Sequence, residues 1–225
     1  RSLVGSEMCI RDSRVKEITG FSALTCLQQS IMNLGILMVQ GLVNSFGTTI
    51  MAAFAAAVKI DAFAYLPVQD FGNAFSIFTA QNYGAKQTER IKKGIRAALT
   101  ASVAFSLMVS FCVFVFAKPL MTLFINAGET AVIEEGVRYL HIEGAFYFLI
   151  GILFLFYGLY RALAKPGMSV VLTIASLGIR VALAYALSAI PVFGIAGIWW
   201  SVPIGWLLAD AVGMLYYKYC ALRAA

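Results

Sequence analysis

Polar and apolar residues divide this chain into long apolar runs separated by short polar segments. Residues 18–58 carry no charged side chain, residues 97–117 form a second uncharged run, and residues 144–160 form a third. A helix needs about 20 apolar residues to cross the hydrocarbon core of a bilayer. Runs of this length therefore predict membrane-spanning helices.

Turn-forming residues divide the longer runs into single spans. Asn44–Thr49 contains a serine and a glycine, and Ile190–Gly194 contains a proline and a glycine. The pattern predicts an all-α, polytopic membrane protein with six transmembrane helices. Their predicted bounds are about 19–44, 49–82, 97–117, 139–161, 167–190 and 195–217.

The composition supports this prediction and excludes other classes. The chain is 61% hydrophobic and 12% charged, whereas about 25% of the residues of a soluble domain are charged. Its net charge of +6 does not indicate nucleic-acid binding, because the basic residues lie between the apolar runs. The sequence shows no catalytic constellation, P-loop or metal-ligand spacing, so we predict a non-enzyme without cofactor or metal.

The basic residues also predict the orientation in the membrane. Arg14 and Lys16 precede the first span, residues 86–96 form a basic hairpin after the second, and Arg161 and Lys165 follow the fourth. By the positive-inside rule these segments are cytoplasmic, as are both chain ends. We expect a multi-pass protein of the plasma membrane.

The first residues are treated separately. Residues 3–13 resemble a translated sequencing-adapter read-through, so residues 1–13 are excluded from the fold as a non-native leader. Residues 14–225 are assigned to one transmembrane lobe. If these residues are adapter-derived, we expect the natural protein to extend upstream. The alternative is that residues 1–13 are a genuine polar leader.

The second predicted span carries charged side chains that a transmembrane helix rarely tolerates. At about 100° per residue, Lys59 and Asp70 share one face, while Asp61 points the other way with Tyr65 and Gln69. Asp70 lies about 15 Å from the inner boundary, near the midplane, and Lys59 lies toward the outer boundary. We predict Asp70 to be a protonatable coupling group. Lys59, Asp61 and Gln69 are further candidates for the substrate and ion pathway, as is Arg180 of the fifth span.

Pro67 precedes Asp70 by one turn of the same span. A proline removes a backbone hydrogen bond and kinks a helix, and such breaks often mark the point where a transporter bends. Pro67 is therefore a hinge candidate. A static kink that fits the packing is the alternative.

Polar stripes follow two further spans. In the first span, Gln29 and Asn33 belong to a stripe that either forms interhelical hydrogen bonds or lines a pathway for substrate and ions. In the fifth, Arg180 continues a serine and threonine stripe within reach of Asp210, and we expect these two to pair. Glu143 and His141 lie near the outer entrance of the fourth span, and we expect these side chains to snorkel or to be packed there, with a proton relay as the alternative.

Three segments resemble the multidrug and toxic compound extrusion (MATE) transporter family. They are Gln81–Ala85 with the basic hairpin after it, Leu159–Gly167, and Gly194–Trp200, and the resemblance covers about residues 18–222. It implies the C-terminal six-helix lobe of a twelve-helix antiporter, with an N-terminal lobe as its partner. The family exports amphipathic, often cationic, drugs by alternating access, coupled to inward proton or sodium flow.

The resemblance is stronger to the DinF-like branch of this family than to the NorM-like branch. NorM-like members place acidic cation ligands in their seventh and tenth helices, whereas the matching first span here carries Gln28, Gln29 and Asn33, and residues 146–150 are apolar. The resemblance then implies that the principal coupling aspartate lies in a helix upstream of this chain.

Two other functions remain open at this point. A lipid-linked oligosaccharide flippase of the wider superfamily would be expected to have a larger, more cationic cavity than Lys59 and Arg180 can supply. A non-transporting membrane scaffold would pair every intramembrane charge and leave no solvent-reachable cavity.

Overall fold

The computed structural model describes residues 12–218, which form helices joined by short turns and loops. Most of the predicted leader, residues 1–11, lies outside the described residues. Ile174–Gly178 forms a π-helical turn. The helices are α1 (Asp12–Asn44), α2 (Thr48–Gly84), α3 (Thr88–Thr122), α4 (Thr130–Gly144), α5 (Tyr147–Ala162), α6 (Pro166–Thr173), α7 (Ile179–Ser188) and α8 (Gly194–Tyr216).

The helices confirm the predicted class of membrane protein. Five stretches are long and apolar enough to cross a bilayer: α1 from Ile18, α2, α3, α6 with α7, and α8. A sixth is added if α4 and α5 together form one bent span. The helices α2 and α3 extend beyond the predicted bounds, because an apolar run marks the hydrocarbon-crossing part of a helix and not its polar ends.

The fourth span differs from the prediction of one continuous helix over 139–161. It bends by 52° between Gly144 and Tyr147, where α4 ends and α5 begins. Glycine is a poor helix former and is common where helices end. The first turn of α5 is fixed by the Tyr147 hydroxyl, which donates a hydrogen bond to Asp61 of α2.

Glycines bring α2 and α5 into close contact at the centre of the bundle. A Cβ atom added at Gly72 would lie 2.8 Å from the carbonyl oxygen of Phe154, and one added at Gly158 would collide with the carbonyl oxygen of Gly72. Small residues allow this close approach of membrane helices, whose association depends on van der Waals packing. The contact holds the polar face of α2 against α5.

An aromatic cluster fixes α4 against α2 and α8. The Phe54 ring stacks on Trp199 with 5.5 Å between centroids, and the Tyr139 ring packs edge-on against Trp199 at 4.8 Å. Edge-to-face aromatic pairs are favourable and directional. The cluster therefore fixes the side of α4 that carries both Tyr139 and, one turn later, Glu143.

Candidate transport cavity

Polar side chains from several helices converge on a cavity of about 160 Å³ inside the bundle, which we call the acidic cavity. Its walls are otherwise apolar and aromatic, from α1, α2, α5 and α8. The polar residues that line it on α2, α4, α5 and α7 include Asp61, Tyr65, Gln69, Glu143, Tyr147 and Arg180.

Asp61 is the centre of a buried polar network in this cavity. Its side chain is 6% exposed, and it accepts a hydrogen bond from the Tyr147 hydroxyl. The Tyr139 hydroxyl and the Glu143 carboxyl also interact with its carboxyl, and the Arg180 guanidinium attracts it electrostatically. Asp61 is thus a buried acid with partners from three other helices.

Glu143 is the second buried acid of the network. It is 4% exposed, and its Oε1 atom has no hydrogen-bond partner. The Nε atom of Arg180 is likewise buried without a partner. Two ionised carboxyls and one guanidinium carry a net charge of −1, which is costly to bury in an apolar bundle. A bound proton or monovalent cation would neutralise it.

The polar face of α2 agrees with the helical periodicity. Asp61, Tyr65 and Gln69 line the same cavity, as their spacing predicts. Asp70, on the other face of α2, is exposed in the described lobe. Periodicity shows which residues share a face but not which face packs inward. The proposed coupling role of Asp70 stays a prediction.

The remaining predicted pathway residues lie at the edges of the lobe. Asn33 and Gln29 are exposed on α1. Lys59 is exposed too, and its Nζ atom lies 5.8 Å from the centroid of the Phe124 ring, between α3 and α4. None of the three contributes to the Asp61 network, and their roles stay predictions.

The predicted ion pair between Arg180 and Asp210 does not form. Both carboxyl oxygens of Asp210 are buried without a partner, whereas Arg180 lines the acidic cavity. The π-helical turn Ile174–Gly178 explains the difference, because a π turn adds a residue and shifts the face of the helix that follows. The prediction treated residues 167–190 as one regular helix.

Pro67 lies within an uninterrupted α2. A cavity of about 240 Å³ lies beside it, between α2 and α3, with Phe71 and Phe105 in its lining. A bend of 52° lies instead between α4 and α5. The hinge role of Pro67 stays a prediction.

A third cavity, of about 130 Å³, adjoins the acidic cavity near the end of α5, and we call it the amide cavity. The Arg161 side chain donates two hydrogen bonds there: from Nη2 to Asn73 Oδ1 at 2.8 Å, and from Nε to the Tyr157 carbonyl oxygen at 3.2 Å. Both cavities have Gln69 in their lining. The polar lining of the amide cavity is Thr25, Gln28, Gln29, Gln69, Asn73 and Arg161.

The sequence-based reasoning missed Glu143 and its tyrosine neighbours. Glu143 was expected to snorkel or to be packed at the outer entrance of its span, and its side chain is packed, buried in the network. The signal was present: Tyr139, Glu143 and Tyr147 recur every four residues, the spacing of one helix face. Arg161 was assigned to a cytoplasmic loop, and its contact with Asn73 is visible only in the fold.

A bundle of membrane-length helices around buried, partly unpaired charges is typical of a lobe of a membrane transporter. The chain belongs to the MatE family, whose sequence model matches residues 23–186. It is 27% identical over 194 residues to the probable multidrug resistance protein YoeA of Bacillus subtilis, covering 84% of this chain and 41% of that protein. This confirms the predicted family.

Two further relatives differ in the function that their names state. The chain is 28% identical to the probable multidrug resistance protein YpnP of Bacillus subtilis, over 88% of this chain and 44% of that protein. It is also 28% identical to a protein of Shewanella oneidensis named FAD transporter, over 70% of this chain and 34% of the relative. The chain thus spans about two fifths of the two multidrug resistance relatives.

Solved transporters share the fold. The bent form of the Vibrio cholerae MATE transporter VcmN superimposes with a TM-score of 0.86 at 23% identity, covering 95% of this chain and 48% of that one. A mutant of the same transporter gives a TM-score of 0.89 at 22% identity, covering 98% and 50%. The described lobe therefore has the fold of about half of a MATE transporter.

Proposed function

We propose that this chain is the C-terminal lobe of a cation-coupled multidrug efflux antiporter of the plasma membrane. An N-terminal six-helix lobe completes the transporter, and the two lobes alternate between outward-open and inward-open arrangements around a shared cavity. The coverage of half of VcmN and the names of the two Bacillus relatives support this proposal.

One observation supports the proposed coupling of transport to a cation: two buried acids and one arginine line the acidic cavity. The ionised carboxyls of Asp61 and Glu143 carry two negative charges, and the Arg180 guanidinium carries one positive charge. The free-energy cost of burying the network is therefore lowest when it also holds one proton or one sodium ion. Ionisable groups inside membrane bundles commonly serve proton or ion pathways. The principal coupling acid of the whole transporter is proposed to lie in the N-terminal lobe.

The walls of the acidic cavity support an amphipathic substrate. Phe54, Phe154 and Trp206 offer aromatic surface beside the two acids. Aromatic faces bind flat apolar groups, and they also attract organic cations. A flavin nucleotide is a further substrate class to test, because one relative is named FAD transporter.

The two alternative functions receive less support from the site. A scaffold would have every buried charge paired, whereas Glu143, Arg180 and Asp210 all have buried polar atoms without partners. A flippase for lipid-linked oligosaccharides would need a strongly cationic cavity, whereas the acidic cavity has two carboxyls for its one arginine.

The test is drug efflux by the full-length transporter in a strain that lacks its own exporters. Asp61→Asn removes the charge at the centre of the network, and Asp70→Asn tests the candidate predicted from sequence. The matched control is Glu134→Gln, an exposed acid on α4. All variants are compared at equal membrane abundance across external pH.

We expect Asp61→Asn to reduce the efflux rate by about ten-fold or more, since loss of one charge-assisted interaction costs about 1.5–3 kcal/mol. Glu134→Gln should export at the rate of the unmodified transporter. The proposal fails if Asp61→Asn retains both the unmodified rate and its pH dependence.

A further inference from the structure

Arg161 is a half-buried cation for which the described residues provide no countercharge. Two of its N–H groups are used, by Asn73 and by the Tyr157 carbonyl oxygen, and a guanidinium has five. Its partners are neutral, and neither ion pair among the described residues involves it. Three donors and a full positive charge therefore remain at the amide cavity.

The other polar groups in this cavity suit an oxyanion. Gln28, Gln29 and Gln69 carry amide N–H donors, Thr25 carries a hydroxyl, and no carboxylate belongs to the lining. Hydrogen bonds from an arginine to a carboxylate or phosphate are short, strong and often bidentate.

The amide cavity continues into an aromatic wall. Phe154 and Tyr157 line both cavities, so they lie between Arg161 at one end and the acids at the other. A molecule bound across them would rest an aromatic body on these rings. Its negative group would then lie at Arg161, away from the negative charge of the Asp61 network.

We infer that the amide cavity is a subsite for the carboxylate or phosphate group of an aromatic substrate, with Arg161 as its main anchor. This inference rests on the proposed transport function and adds a substrate class to it, the amphipathic anions and zwitterions. Arg161 is then a specificity-determining residue. Cationic substrates, which have no group for it to bind, depend on the aromatic wall and the acidic cavity.

The test uses two probes that differ by one phosphate: riboflavin and riboflavin 5′-phosphate. Their dissociation constants are measured by flavin fluorescence with the full-length transporter in a maltoside detergent. The variants are Arg161→Gln, which removes the positive charge, and Arg161→Lys, which keeps the charge but lacks the planar guanidinium that binds a phosphate through two hydrogen bonds. Arg90→Gln, an exposed cation of the basic hairpin, makes the same change of charge outside the cavities.

We expect the unmodified transporter to bind the phosphate ester about ten-fold more tightly than riboflavin. Arg161→Gln should lose this preference with little change for riboflavin, Arg161→Lys should keep part of it, and Arg90→Gln all of it. Equal weakening of both flavins in Arg161→Gln would show that Arg161 only supports the structure and would overturn the inference. So would the absence of a preference in the unmodified transporter.

A phospholipid headgroup presents the same phosphate chemistry as a substrate, so a second arm adds phosphatidylglycerol to the detergent. Unchanged binding of the phosphate ester supports a substrate subsite, and competition by the lipid would overturn it in favour of a headgroup site. Ethidium efflux by the unmodified transporter separates the two proposals. If the unmodified transporter exports ethidium, the transport function stands even if the flavin measurements overturn the subsite.

Discussion

Asp61 and Asp210 are two aspartates of nearly equal burial, with exposed fractions of 6% and 5%, in very different surroundings. Asp61 has a tyrosine hydrogen bond, a second carboxyl and an arginine beside it, and it faces a cavity. Both oxygens of Asp210 lack partners, and it does not line the acidic or the amide cavity. Burial alone therefore does not identify a functional acid; a network that opens on a cavity does.

The comparison is tested most strongly by the same apolar substitution at both aspartates. Asp61→Val should lower the free energy of unfolding by about 3 kcal/mol, because it leaves a tyrosine hydroxyl and an arginine buried without their partner. Chemical unfolding of the full-length transporter in mixed detergent micelles measures this change. An unchanged free energy would mean that the Asp61 network does not hold the helices together.

Asp210→Val should change the free energy of unfolding in the opposite direction. It removes a carboxyl that is buried without hydrogen bonds, which should raise the free energy of unfolding by about 1–2 kcal/mol in the same assay. Drug efflux should stay at the unmodified rate. Loss of efflux at normal abundance would place Asp210 in the transport pathway and remove the contrast with Asp61.

A smaller effect is expected from the tyrosine that joins α5 to α2. Tyr147→Phe removes one buried hydrogen bond and keeps the ring, so the free energy of unfolding should fall by about 1 kcal/mol. Addition of this variant to Asp61→Val gives a double-mutant cycle. Strictly additive effects would contradict direct coupling between the two side chains.

The smallest effect is expected at Lys59, the basic residue of α2, which lies outside the network. Lys59→Gln removes a cation near the Phe124 ring, an exposed interaction worth about 0.5 kcal/mol. Neither unfolding nor efflux should change by more than this. A large loss of efflux with normal stability would contradict this expectation and support the predicted role of Lys59 in the substrate and ion pathway.

The sequence predicted those features of the structure that depend on a single helix. The apolar runs gave the spans, and the 100° periodicity grouped Asp61 with Tyr65 and Gln69. It could not show that this face, and not that of Asp70, packs inward, because the choice depends on α4 and α5. Glu143 was missed for the same reason, since its partner Asp61 lies 82 residues away in the chain (143 − 61).

Two departures from regular helix also lay beyond the sequence pattern. The 52° bend after Gly144 occurs without a proline, and the π-helical turn that turns Arg180 toward the acidic cavity has no distinctive residues. Both are selected by tertiary packing, which overrides weak local preferences. The Arg180–Asp210 pairing failed at this point, because it assumed a regular helix.

The π-helical turn makes chain length a determinant of the acidic cavity, alongside side-chain identity. Removing one residue other than Ser176 within 174–178 would restore an α-helix and would delete no polar side chain. Every residue after the deletion would then rotate by about 100° relative to Ser169 and Thr173, which would remain packed on α5. In a relative that lacks this residue, the Arg180 guanidinium would move away from the Asp61 and Glu143 carboxyls. The cavity would then carry a different charge although the chain has the same polar residues.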